Sequence, residues 1–145
     1  MNIRVGNGYT DAVLQLSVII FRDAAGKILL QFRDGNAPSE PLGWSFFGGI
    51  AEGTEMPLAA VIREVKEELD MDLTEGDVRL LAERHWISPN SGQEKTVFFF
   101  EGVSPISWHD ISIHEGAGAA FLTKEEISQL STASLLSKTF VSEYC

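Results

Sequence analysis

Gly49-Ile50-Ala51-Glu52-Gly53-Thr54-Glu55-Met56-Pro57-Leu58-Ala59-Ala60-Val61-Ile62-Arg63-Glu64-Val65-Lys66-Glu67-Glu68-Leu69-Asp70-Met71 is the stretch on which the reading of this chain turns. Leu58, Val61, Ile62, Val65 and Leu69 recur at helical spacing, and Pro57 is tolerated in a first helical turn, so the sequence predicts a helix over 57–70. On a wheel of about 100° per residue the apolar positions fill one arc of roughly 100°. Glu64, Glu67 and Glu68 fill a neighbouring arc. Carboxylates at i, i+3 and i+4 repel one another by a few tenths of a kcal/mol per pair, so helix stability gives no reason to gather them. A hard divalent cation would turn that repulsion into binding, because Mg²⁺ prefers oxygen ligands and also holds substrate phosphates. A solvated acidic face is the other reading that this spacing allows.

Outward from the helix the pattern changes to short apolar runs. Residues 12–21 and 27–33 flank Asp23-Ala24-Ala25-Gly26 and read as two strands joined by a turn. Residues 34–43 gather Gly, Asn, Pro and Ser and read as a loop. One short strand is predicted over 44–50, running into Gly48-Gly49, and two longer ones over 78–87 and 96–103. A last strand is expected near 119–122. Thr123-Lys124-Glu125-Glu126 has the form of a capping box opening a short helix, and 135–144 reads as a closing helix. With no repeat or linker tract, the chain is expected to form one α/β domain over 1–145.

Gly49, five residues, Glu55, seven residues, Arg63-Glu64-Val65-Lys66-Glu67-Glu68, then Leu69-Asp70-Met71 resembles the signature of the Nudix hydrolases at every specified position but one. The exception is Asp70, where the family carries Gly. A left-handed helix end is expected there, a conformation Asp tolerates better than most residues. Met56 stands where many relatives place a Ser or Thr cap, and Phe47 where Pro is common. The resemblance implies an α/β/α sandwich with a central mixed β-sheet, and hydrolysis of a phosphoanhydride in a small nucleotide-type substrate with Mg²⁺ or Mn²⁺. It also implies site residues. Glu64, Glu67 and Glu68 would ligate metal with the Gly48 carbonyl, Glu64 being the first choice for general base; Arg63 would orient a catalytic carboxylate, and Glu55 would pair with Arg63. Some relatives add a carboxylate before the last strand, for which Glu115 in His114-Glu115-Gly116 is the candidate.

Arg33, ending the second strand beside the loop into the motif, is placed to meet a substrate phosphate. Trp86, Trp44, Phe98 and Phe100 offer rings for stacking on a base, though strand aromatics are more often core; Trp86 is the candidate for substrate binding. His85 and His109 have no motif context. A non-catalytic nucleotide-binding module with the same fold is the alternative function, against which all three signature glutamates stand. Prenyl diphosphate isomerases share the fold but use a reactive Cys within the chain, and the single Cys here is Cys145.

Composition bounds the partners. The 145 residues carry 21 acidic and 11 basic side chains, for a formal charge of −10, which disfavours long nucleic acid and anionic membranes. Seven acidic residues (Glu52, Glu55, Glu64, Glu67, Glu68, Asp70, Asp72) against Arg63 and Lys66 concentrate half of that excess between Gly49 and Asp72. A single Cys is compatible with a reducing cytoplasm, and Met1 to Gly8 lack the basic start and apolar run of a secretory signal. A cytoplasmic monomer or homodimer acting on a small phosphoanhydride is the resulting expectation.

Overall fold

Strict alternation along the strands decides the layering of the computed structural model, which describes residues 13–33, 35, 43–89, 91–114 and 118–145. In β1 (Leu14–Ile20) Val18 and Ile20 face one side while Ile19, with Phe21 just beyond, faces the other. The same split recurs in β2 (Ile28–Phe32) and β6 (Glu94–Gly102), where Ile28, Leu30, Val97 and Phe99 share a side opposite to Leu29 and Phe100. Two apolar faces need two covers. Val61, Val65 and Leu69 of α1 (Pro57–Leu69) cover one. Ile127 of α2 (Lys124–Gln129) with Phe140 and Val141 of α3 (Leu135–Tyr144) cover the other, giving the expected α/β/α sandwich.

The β layer holds a four-stranded mixed sheet in the order β4-β1-β6-β5, where β4 is Phe47–Ile50 and β5 is Val78–Ile87. β1 and β6 run parallel, and the other pairs are antiparallel. A second, antiparallel sheet has the order β3-β2-β7, with β3 at Trp44–Ser45 and β7 at Gly118–Leu122. The single strand expected over 44–50 is therefore two. It breaks at Phe46, whose ring is buried against Phe99 at 5.1 Å, and the backbone crosses from the second sheet to the first. Gln31 Nε2 donates to the Phe46 carbonyl at 2.9 Å, satisfying an acceptor at the break.

Both ends of α1 bear out their sequence reading. Met56 at the amino end is 70% exposed and its side chain caps nothing. Asp70 at the carboxyl end is left-handed, with φ 56° and ψ 35°, and its N–H donates to the Lys66 carbonyl. Among the described residues no helix is long and apolar enough to cross a membrane.

One buried charge lies outside every sequence expectation. The Glu101 carboxylate on β6 accepts from Arg22 Nη1 at 2.7 Å and from Arg79 Nε at 2.8 Å, tying β6 to β5 and to the turn after β1. Burial pushes this carboxyl up, but the two guanidiniums outweigh it and hold it below the usual range.

Candidate active site

α1 lies against β4, where Gly49 makes room for it. A Cβ on Gly49 would stand 2.3 Å from Glu64 Oε1, so the Glu64 carboxylate occupies the space a side chain would need. The Gly48 N–H donates to Glu68 Oε1 at 3.0 Å. Gly48 itself is held at φ 141°, and a Cβ there would stand 2.1 Å from the Ser17 carbonyl oxygen. Across the sheet the Ser17 hydroxyl donates to the Pro57 carbonyl at 2.9 Å, pinning the start of α1 to β1.

These contacts decide against a simply solvated acidic face. Glu68 is 4% exposed and the Glu64 side chain 15%, while Glu67 remains half exposed. Burying carboxylates costs several kcal/mol unless partners compensate. Arg63 compensates Glu64, and the Gly48 N–H meets Glu68. Arg63 Nε and Nη2 engage both oxygens of Glu55 at 2.8 and 3.0 Å, and its Nη1 lies 3.0 Å from Glu64 and 3.3 Å from Glu67. The Arg63 hydrogen bond holds the Glu55 carboxyl below the usual range, and the carboxylates in turn raise the guanidinium. Glu55 Oε1 also accepts from the Glu52 N–H at 3.1 Å, which folds the loop back onto the helix. The expected Glu55–Arg63 pair is thus a bidentate clamp at the centre of four carboxylates, since Glu52 also approaches at 3.8 Å.

On the opposite face of β4 and β1 opens a cleft of about 350 Å³. Gly48, Gly49 and Ile50 form one wall, Leu16 and Val18 part of the floor, and Ser134, Leu135, Leu136 and Ser137 at the start of α3 another side. Arg33 and Trp86, both singled out from sequence, line it. The other aromatic candidates do not: Trp44 packs on Phe32 at 5.1 Å, and Phe98 and Phe100 belong to the core under α1. Lys95, Ser45, Ser88 and Pro89 also line the cleft. His85 is exposed beside Glu94, and His109 is exposed in a 3-10 turn.

The sequence matches the NUDIX domain over residues 13–143. The chain belongs to the NUDIX domain family. Solved structures agree on the fold. The MutT protein from Methanosarcina mazei Go1 superposes with a TM-score of 0.78 at 18% identity, covering 91% of this chain and 92% of that one. A MutT NUDIX hydrolase from Burkholderia pseudomallei gives 0.74 at 18% identity, with 92% and 99% covered. The dihydroneopterin triphosphate pyrophosphohydrolase of E. coli gives 0.65 at 19%, with 91% and 93% covered. No curated protein matches in sequence. The chain is a Nudix hydrolase, and the segment Gly49 to Met71 is its Nudix box.

Nudix hydrolases generally use a divalent metal, and the donors in this Nudix box suit one in chemistry. They are all oxygens, they flank a backbone left open by two glycines, and two of the three carboxylates are drawn out of water. Among the described residues no three acidic, His or Cys side chains converge on one point, since Arg63 draws Glu64 and Glu67 to itself. Residues 112–114 lie along the end of α1, where the His114 N–H donates to the Glu68 carbonyl at 2.9 Å. Glu115, the candidate additional ligand, lies outside the described residues.

Proposed function

We propose that this Nudix hydrolase is a metal-dependent pyrophosphohydrolase that opens a phosphoanhydride in a small nucleotide-type substrate, such as a nucleoside triphosphate or a nucleoside diphosphate linked to another group. The observation that carries this reading is the withdrawal of Glu64 and Glu68 from water onto the two glycines that wall the cleft. Stability does not ask for that arrangement, and phosphoryl transfer does, because it depends on positioning and charge neutralisation. Glu64, Glu67, Glu68 and the Gly48 carbonyl would hold Mg²⁺ or Mn²⁺, with Glu115 as a further candidate. Bound there, the ion supplies neutralisation of phosphate charge and a more acidic water.

Glu64, resting on the Gly49 backbone, would accept the proton of the attacking water. Arg63 would fix the angle of Glu64 and Glu67, and Glu55 would fix Arg63. Arg33 would meet substrate phosphate, and Trp86 would stack on the base. The full carboxylate set argues against a binding module without turnover. The lone, half-buried Cys145 suits a reducing cytoplasm.

The test is a panel of nucleoside triphosphates and nucleotide sugars incubated with Mg²⁺ and assayed for pyrophosphate, phosphate or nucleoside monophosphate. At least one substrate is expected. Glu67→Gln should then lower kcat by about 10²-fold or more with the far-UV spectrum unchanged. Inactivity across the panel beside an active control enzyme would favour the binding module, and an unimpaired Glu67→Gln would remove Glu67 from the site.

A further inference from the structure

Lys95 is the second cation in the cleft wall, and neither the Nudix box nor the charge of the chain explains it. It is half-buried at the start of β6, and among the described residues its ammonium has no ion-pair or hydrogen-bond partner, in a chain where acidic side chains outnumber basic ones 21 to 11. Its place follows from register. Trp86 on β5 is its direct cross-strand partner, so the indole and the ammonium stem project from the same face. That face is the cleft face, because Lys95 shares the parity of Val97, and Val97 is in register with Leu16. Gly49 is in register with Ser17, and Ser17 with Phe98. Lys95 is thus three residues and two strand spacings from Gly49, or roughly 14 Å along the diagonal of the sheet. That is too far for the anhydride held at Gly48 and Gly49 and suits the opposite end of a nucleotide.

We infer that Lys95 is a specificity-determining residue that selects bases presenting a keto oxygen rather than an exocyclic amino group at the edge facing the sheet. The inference rests on the proposed nucleotide-type substrate. An ammonium has three donors and no acceptor, so it pairs with a carbonyl oxygen and is left facing another donor when an amino group takes that place. A base stacked on Trp86 presents its edge to the residue beside the indole, which is Lys95. Lys and Arg read the O6/N7 edge of guanine by the same polarity. The half-burial of Lys95 keeps the contact from being wholly screened by water.

Pairs of nucleotides that exchange the keto oxygen for an amino group, with the adjacent ring nitrogen changing from donor to acceptor, test it: inosine against adenosine, and uridine against cytidine, as α,β-methylene triphosphates with Mg²⁺, titrated by calorimetry. The intact protein should bind the keto member of each pair at least about tenfold more tightly. Lys95→Met should bring the two within about threefold, Lys95→Arg should retain the preference, and an unchanged Tm would show that Lys95→Met folds normally. Equal or reversed affinities in the intact protein, a preference that survives Lys95→Met, or no binding of any analogue would overturn the assignment. Hydrolysis of the parent nucleotides, scored separately, keeps the two readings apart. Preferential binding without hydrolysis sinks the hydrolytic reading and leaves Lys95 in its role, and hydrolysis without preference sinks the role of Lys95 alone.

Discussion

The two faces of β4 are built in opposite ways. Toward α1, the charged side chains that reach the strand come from the next twenty residues of the chain: Glu55, Arg63, Glu64 and Glu68 gather at Ile50, Gly49 and Gly48. Toward the cleft, the same strand lines one space together with Leu16, Arg33, Trp86, Lys95 and Ser134, gathered from five separate parts of the sequence. The first face carries chemistry that can be written as a contiguous spacing. The second face, proposed for recognition, exists only once the sheets have formed.

Substituting the two glycines separates the faces. Gly48→Ala is expected to have the largest effect, because its Cβ would press on the backbone oxygen of Ser17 at a positive φ that side chains rarely adopt. Strain and overpacking together should cost about 3 kcal/mol or more, read as a lower midpoint in urea unfolding, and both faces should suffer. A stability near that of the unsubstituted protein would mean that β4 can yield, and the backbone would not be the fixed wall described here.

Gly49→Ala comes next and should act on one face alone. The new methyl meets the end of a flexible Glu64 side chain, not backbone, so the fold should hold while the carboxylate is displaced by an ångström or more. A loss of roughly 10- to 100-fold in kcat is expected, with affinity for a non-hydrolysable nucleotide little changed. If affinity falls as far as kcat, the two faces are not independent and the comparison breaks. Met56→Ser should touch neither face. A side-chain oxygen at the uncapped start of α1 should add about 1 kcal/mol to unfolding stability at unchanged kcat, measured by denaturant titration and steady-state assay.

Legibility in the sequence follows the same division. The periodicity of Leu58 to Leu69 specified α1 and its core face, because helix geometry fixes neighbours at three and four residues, while its uncapped start, its left-handed end and the Glu55–Arg63 pair were implied by the resemblance of Gly49 to Met71 to the family signature. The break at Phe46 was hidden, since an apolar run from Trp44 to Ile50 is the same whether it stays in one sheet or crosses between two. Lys95 carried no signal: a lysine before a β-branched run reads as an exposed strand end, and only its register with Trp86 turns it toward the cleft. Arg22, Arg79 and Glu101 were equally silent, being 79 and 22 residues apart in their pairings. Of the aromatic candidates, Trp86 was separated from Phe98 and Phe100 by which cover each strand face received, and from Trp44 by the packing of that ring on Phe32.

The left-handed Asp70 closes α1 where its family places a residue without a side chain. Glycine would make that turn by conformational freedom alone, indifferent to the medium. Asp70 pairs instead with Lys66 at 3.0 Å, a lysine it shares with Asp72 at 3.1 Å, and all three are at least half exposed. Ions in solution weaken such pairs as the Debye length shrinks from about 10 Å at 0.1 M to about 3 Å at 1 M. The helix that carries Glu64, Glu67 and Glu68 therefore ends on a fastening that responds to ionic strength, and its last turn should fray in concentrated salt before its first.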